Sequence, residues 1–194
     1  MRREEAYQLL KEMIKSPNLV KHGLAVEAIM RDLCKFLKQK YPELPEEEFN
    51  EEEWAIVGLL HDADYELVEK DSKKHTLVTE EKLKPLGVTE RIINGIKAHH
   101  DGIKESRDNL LEKGVYAADD TTGLITAVAL VRPDKKLSSV TVESIMKKFD
   151  QKAFAAGAKR EQILKGCQEL GIPLEEFMEI SLKAMQKNSD QLGL

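Results

Sequence analysis

The residues of this chain with the most chemistry in them are its histidines and a few of its aspartates. There are five histidines in 194 residues: His22, His61, His75, His99 and His100. His61 is followed directly by Asp62, and after His99-His100 comes Asp119, in the run Tyr116-Ala117-Ala118-Asp119-Asp120. Imidazole nitrogens and carboxylate oxygens together make a borderline-hard donor set. Such a set suits Mn, Fe, Co, Ni or Zn, with Mg less natural. A divalent ion with open positions acidifies a water and polarises a phosphoryl oxygen, and in-line attack would then split a phosphomonoester or phosphodiester.

Whether these residues can meet depends on the elements that carry them. His22 lies four residues before Val26 and seven before Ile29, on the apolar stripe of its segment. His61 follows Trp54 by seven and Val57 by four, while His99 follows Ile92 by seven and Ile96 by three. Asp119 follows Val115 by four and precedes Thr122 by three. Each residue taken alone reads as structural, a hydrogen-bonded histidine or a capping aspartate. Burying several of them without a shared purpose costs several kcal/mol, on the order of 2–7 for each unpaired polar group. A shared ion would satisfy them together.

The helical period runs through the chain, and no strand pattern competes with it. Helices are expected over Arg2 to Lys15, from an Asn18 cap to Lys40, and over Glu51 to Asp62. Further helices are expected over Lys74 to Lys84, from a Thr89 cap to His100, and over Leu110 to Val131 with a kink at Gly123. Thr141 with Glu143 starts another, and Lys159 to Leu170 and Leu174 to Lys187 close the series around Gly171-Ile172-Pro173. The fold class is all-α: one orthogonally packed domain of roughly eight helices over residues 1–194, with a metal-binding core at 18–131 and a helical extension at 138–190. The acidic stretch from Pro42 to Glu53 is read as an exposed loop, and Trp54, Phe36, Phe149, Phe154 and Phe177 as core.

Composition narrows the function classes. Thirty basic against thirty-five acidic residues give a net charge of −5, which argues against coating nucleic acid or an anionic membrane. The longest apolar run, Leu124 to Val131, is too short to span a bilayer. Cys34 and Cys167 stand alone, and the N-terminus has no apolar stretch of the signal-peptide kind. The chain therefore reads as cytoplasmic, with a small molecule as its partner.

The order His22, His61-Asp62, His75, His99-His100, Asp119 resembles the HD-domain superfamily of metal-dependent phosphohydrolases. The stretch from Tyr116 to Leu124, continued by Ala129 to Pro133, looks like a group of small, poorly characterised HD hydrolases. The resemblance implies a first metal site of His22, His61, Asp62 and Asp119. Helical phase does not separate Asp119 from Asp120, and the family register favours Asp119. In members with two or more ions, further histidines correspond to His75, His99 and His100, and Asp62 would bridge the ions. With one ion only, His99 or His100 would instead contact substrate phosphate.

Asp62, Asp64 and Lys97 are the catalytic candidates. Asp64 or Glu66 would serve as acid or base, and Lys97, Lys21, Lys74 or Arg132 would face developing charge. His61-Asp62 is followed by Ala63-Asp64-Tyr65 rather than Ile-Gly-Lys, and His99-His100 by Asp101-Gly102 without the Gly-Tyr-Pro of cyclic-di-GMP phosphodiesterases. That substrate is set aside. What the resemblance implies is hydrolysis of a small phosphorylated compound, with a nucleotide as the leading candidate. The alternatives are a non-catalytic sensor binding metal or nucleotide, and a di-iron oxygenase.

Overall fold

In the computed structural model, which describes residues 1–68, 71 and 73–194, every regular element among the described residues is helical. The α-helices are α1 (Arg3–Met13), α2 (Pro17–Lys40), α3 (Glu51–Leu60), α4 (Leu77–Leu83) and α5 (Glu90–Ala98). They continue with α6 (Leu110–Leu130), α7 (Val142–Phe149), α8 (Arg160–Leu170), α9 (Leu174–Lys187) and the single turn α10 (Ser189–Leu192). None of them is long and apolar enough to cross a membrane.

Local chemistry sets the boundaries. Asn50 accepts from the amides of Glu52 and Glu53 to start α3, and Asn109 accepts from Glu112 to start α6. Helix α2 begins earlier than the expected Asn18 cap, with Ser16 at the cap and Pro17 in the first turn, where its missing N–H costs nothing. Helix α3 stops at Leu60, so His61 and Asp62 fall just beyond it. Helix α4 starts only at Leu77, three residues after the expected Lys74. The kink expected in α6 is not seen as a break, since one α-helix runs through Gly123. Gly171 ends α8 in the left-handed conformation, at φ 65°.

Two helices organise the rest. Helix α2 packs against α3, α6, α9 and α10, and α6 packs against α5, α7, α8 and α9. Trp54, Leu33, Leu59, Val115, Ile125, Ile163 and Phe177 are fully buried between these elements. The acidic segment before α3 is less of a free loop than expected. Glu48 accepts from the Leu110 amide, and its carbonyl takes the indole N–H of Trp54 at 2.9 Å. Buried Glu27 on α2 is gripped by the guanidinium groups of Arg3 and Arg31, which ties α1 to α2.

The contact that positions the histidines is the approach of α2 to α3. A Cβ on Gly23 would lie 2.8 Å from the Leu59 carbonyl oxygen, and one on Gly58 would lie 2.9 Å from the Glu27 amide nitrogen. The obstructing atoms are backbone, which cannot rotate away. Gly58→Ala should therefore force the two helices apart. We expect a loss of about 1–3 kcal/mol in urea denaturation, despite the better helix propensity of alanine.

Candidate metal centre

Five elements contribute to one cluster: α2 brings His22, the end of α3 brings His61 and Asp62, the turn before α4 brings His75, the end of α5 brings His99 and the middle of α6 brings Asp119. His61, His75 and His99 are buried, and His22, Asp62 and Asp119 are partly exposed at its mouth. His22 Nε2 lies 3.0 Å from His61 Nε2, 3.2 Å from Asp119 Oδ1 and 3.6 Å from Asp62 Oδ2. On the other side of Asp62, His75 Nε2 lies 3.1 Å and His99 Nε2 3.4 Å from Oδ1, and the two nitrogens are 3.0 Å apart.

The other ring nitrogen of each histidine explains this arrangement. His61 Nδ1 donates to the Gly58 carbonyl at 2.8 Å and His99 Nδ1 to the Ile96 carbonyl at 2.6 Å. Both carbonyls belong to the last turn of the residue's own helix, where acceptors lack intrahelical partners. His75 Nδ1 donates to Asp64 Oδ1 at 2.8 Å. The Thr122 hydroxyl donates to the Asp119 carbonyl, so it accepts from His22 Nδ1 at 2.9 Å. Every ring proton is thus committed at Nδ1, and the Nε2 lone pairs face each other in two pairs. Only positive charge between them, either protons or metal ions, makes that stable.

The titration tendencies agree. Burial disfavours a charged His61, yet Asp62 and Asp119 outweigh it and hold the imidazole up to about 9. Burial is likewise outweighed at His75, where Asp62 and Asp64 hold it at about 9. Asp119 and Asp62, which burial alone would push up, are held far below the usual carboxylate range by the facing imidazoles. The donor set suits a divalent ion and divides into two groups that share Asp62. Ligand atoms of His22, His61 and Asp62 lie within 4.8 Å of one another, as do those of Asp62, His75 and His99. Asp119 could complete the first set.

The HD domain family model matches residues 19–124, more than half of the chain. The chain belongs to the HD-domain family. No curated protein and no solved structure matched it. The matched segment of this HD domain contains all five histidines, Asp62 and Asp119.

The structure sets some of the expected site residues apart from the two ligand groups. His100 joins neither ligand group. Both residues follow the end of α5, and of the two it is His99 that brings its Nε2 to 3.4 Å from Asp62 Oδ1. His100 lies one layer out, its ring centroid 5.9 Å from that of His75, and burial pushes its pKa down. Adjacent positions inside α6 point about 100° apart, which separates Asp119, which meets the histidines, from Asp120, which lines the neighbouring cavity and is pushed up to about 6 by burial and by Asp119.

Asp64 is fully buried behind His75 and accepts also from the amides of Thr76 and Thr79, so its carboxylate is engaged within the fold. Lys97 is tied to Glu80 at 2.6 Å. Glu66 accepts from the amides of Lys15 and Ser16 at the junction of α1 and α2. Lys74 is paired with Asp71, and Arg132 reaches Ser139. Lys21 lines a cleft beyond His22 rather than the cluster itself.

Sequence reasoning missed two residues that complete the cavity beside the cluster, Lys159 and Gln162. This cavity of about 310 Å³ is lined by Tyr65, His100, Asp120, Gly157, Lys159 and Gln162 together with the cluster's own side chains. Lys159 is exposed at the cap of α8, and buried Gln162 donates to the carbonyls of His99 and Tyr116. Both lie outside the matched segment, with no histidine near them in sequence to mark them.

Two outcomes follow. Asp64→Asn weakens the carboxylate hold on His75, so metal affinity of the His75–His99 group should fall about 10–100-fold, as read by chelator competition. The second concerns pH. Because His61 and His75 are raised from 6.5 to about 9, their contribution to the stability of metal-free protein is complete below about 6.5 and is lost as pH rises through about 9. Melting temperature of the metal-free protein should drop across that window, while Mn affinity should rise as protons cease to compete.

Proposed function

We propose that this HD domain is a metal-dependent phosphohydrolase with two divalent ions, held by His22, His61, Asp62 and Asp119 on one side and by Asp62, His75 and His99 on the other. The observation that carries this reading is the pair of opposed Nε2 contacts at 3.0 Å, one on each side of Asp62. Ions bound there would acidify a water and polarise a phosphoryl oxygen. Mn, Fe, Co, Ni and Zn suit the donors better than Mg.

The chain's own residues do the positioning. Asp62 offers one oxygen to each side, which fixes the spacing of whatever it bridges. Asp64 and the carbonyls of Gly58 and Ile96 keep the protons on Nδ1, so that Nε2 stays a donor of electrons. Lys159, at the rim, is the cation placed to meet a phosphoryl oxygen. His100, kept neutral by burial, can donate one N–H to the substrate. The substrate is a small phosphorylated compound, and the polar cavity of about 310 Å³ has room for a nucleotide's sugar.

Metal analysis after loading with excess Mn should find two ions per chain. Asp62→Ala should remove both and abolish turnover in a screen of nucleotides and sugar phosphates with Mn, Co, Ni and Mg, with helicity preserved. His75→Ala combined with His99→Ala should leave one ion. A stoichiometry of one that this double replacement does not change would overturn the two-ion reading. Nucleotide binding without turnover in any metal would favour a sensor, and iron-dependent oxygen consumption without phosphatase activity would favour an oxygenase.

A further inference from the structure

The cluster sits partway along a groove, not at its end. The cavity lined by His100, Lys159 and Gln162 shares Asp119, Asp120 and Gly157 with a second cavity of about 270 Å³. That second cavity shares His22 and Gly123 with a third, of about 390 Å³, between α2, α6 and the turn of α10. Its lining includes the apolar Ala25, Leu130, Leu192 and Leu194, with Thr126 and Lys21 beside them. Leu130, on this lining, is 50% exposed.

Gly123 is the saddle between the second and third cavities. It lies in the interior of α6, where glycine is the least favourable residue other than proline. A helix-interior glycine normally has a packing reason, as Gly23 and Gly58 do. Gly123 has none: a Cβ there would meet nothing within 4 Å. Having no side chain, it takes up none of the space that it lines in both cavities.

We infer that the substrate is a phosphodiester with two unlike substituents, a polar one lying toward Lys159 and Gln162 and an apolar one crossing Gly123 into the cleft of Ala25, Thr126 and Leu130. This deepens the phosphohydrolase reading and rests on it. A monoester has one substituent and needs a cavity on one side of phosphorus only, whereas here cavities open on both flanks of the cluster. An engineered cavity of about 150 Å³ already admits benzene, so the cleft has room for an aryl or alkyl group. In the reaction, water oxygen forms a bond to phosphorus and one ester P–O bond breaks. One water proton goes to the departing alcohol and the other to solvent, leaving a monoester and an alcohol.

The test is calorimetric titration of the Mn-loaded protein with two monoanions of equal charge, methyl methylphosphonate and hexyl methylphosphonate. The hexyl ester should bind at least tenfold more tightly. Gly123→Leu should reduce that preference to less than twofold, with the methyl ester bound within twofold of wild type. Its metal content should be unchanged and its melting temperature no lower. Thr126→Phe, one helical turn further from the ligands, should act in the same direction and carries the test if Gly123→Leu loses metal. Equal binding of the two esters by wild type, or a preference that survives both substitutions, overturns the inference and leaves the phosphohydrolase reading standing. Failure of the methyl ester to bind loaded protein counts against that reading itself, and the inference falls with it.

Discussion

Four imidazole lone pairs pointing at one another is the constraint around which this chain is arranged. Left to themselves, His22, His61, His75 and His99 would repel across two gaps of 3.0 Å. They tolerate that proximity because Asp62 and Asp119 stand beside them and draw positive charge into the gaps, as protons or as ions. The price of the arrangement is a highly charged cluster set into a largely apolar core. Five separate elements must each be held in register to keep it satisfied.

The holding devices are ordinary features of helix ends. His61 and His99 follow the last residues of α3 and α5, and their rings turn back to take a carbonyl that the helix itself leaves without a partner. Asp64 combines two tasks, orienting His75 and supplying the acceptor that the first amides of α4 need. This carboxylate also holds Thr76 at φ 68°, a conformation that costs a β-branched residue about 1–3 kcal/mol. The strain sits next to His75 and is sustained by the same group that orients it, which couples the start of α4 to the geometry of the centre.

The matched segment supplies every ligand of the centre, and α8 supplies part of the cavity beside it. Gln162 on α8 binds the carbonyl of His99, and Arg107 forms a two-point contact with Glu169 while lying 3.7 Å over the ring of Tyr116. Through these contacts α8 closes the polar cavity that the HD segment by itself would leave open. The two flanks of the groove therefore have different origins. One is built by α8 and the loop before it, and the other by α2, α6 and the last turn of the chain.

The helical class and the convergence of His22, His61, Asp62, His75, His99 and Asp119 were legible in the sequence. A 3.6-residue period is a local property, and histidines and aspartates on apolar stripes point inward wherever the helices pack. Neighbouring residues were harder to separate, because periodicity identifies a stripe without fixing the rotation of its helix against the others. Only packing put His99 and Asp119 at the centre and left His100 and Asp120 outside it. Long-range pairing was not legible at all. Lys97 faces Glu80, Asp64 caps a helix that starts thirteen residues later, and Lys159 and Gln162 reach the centre from a separate helix. Residue types and spacing determined what chemistry this chain can hold. The tertiary structure decided which side chains face it, because facing depends on distances between elements that no local pattern encodes.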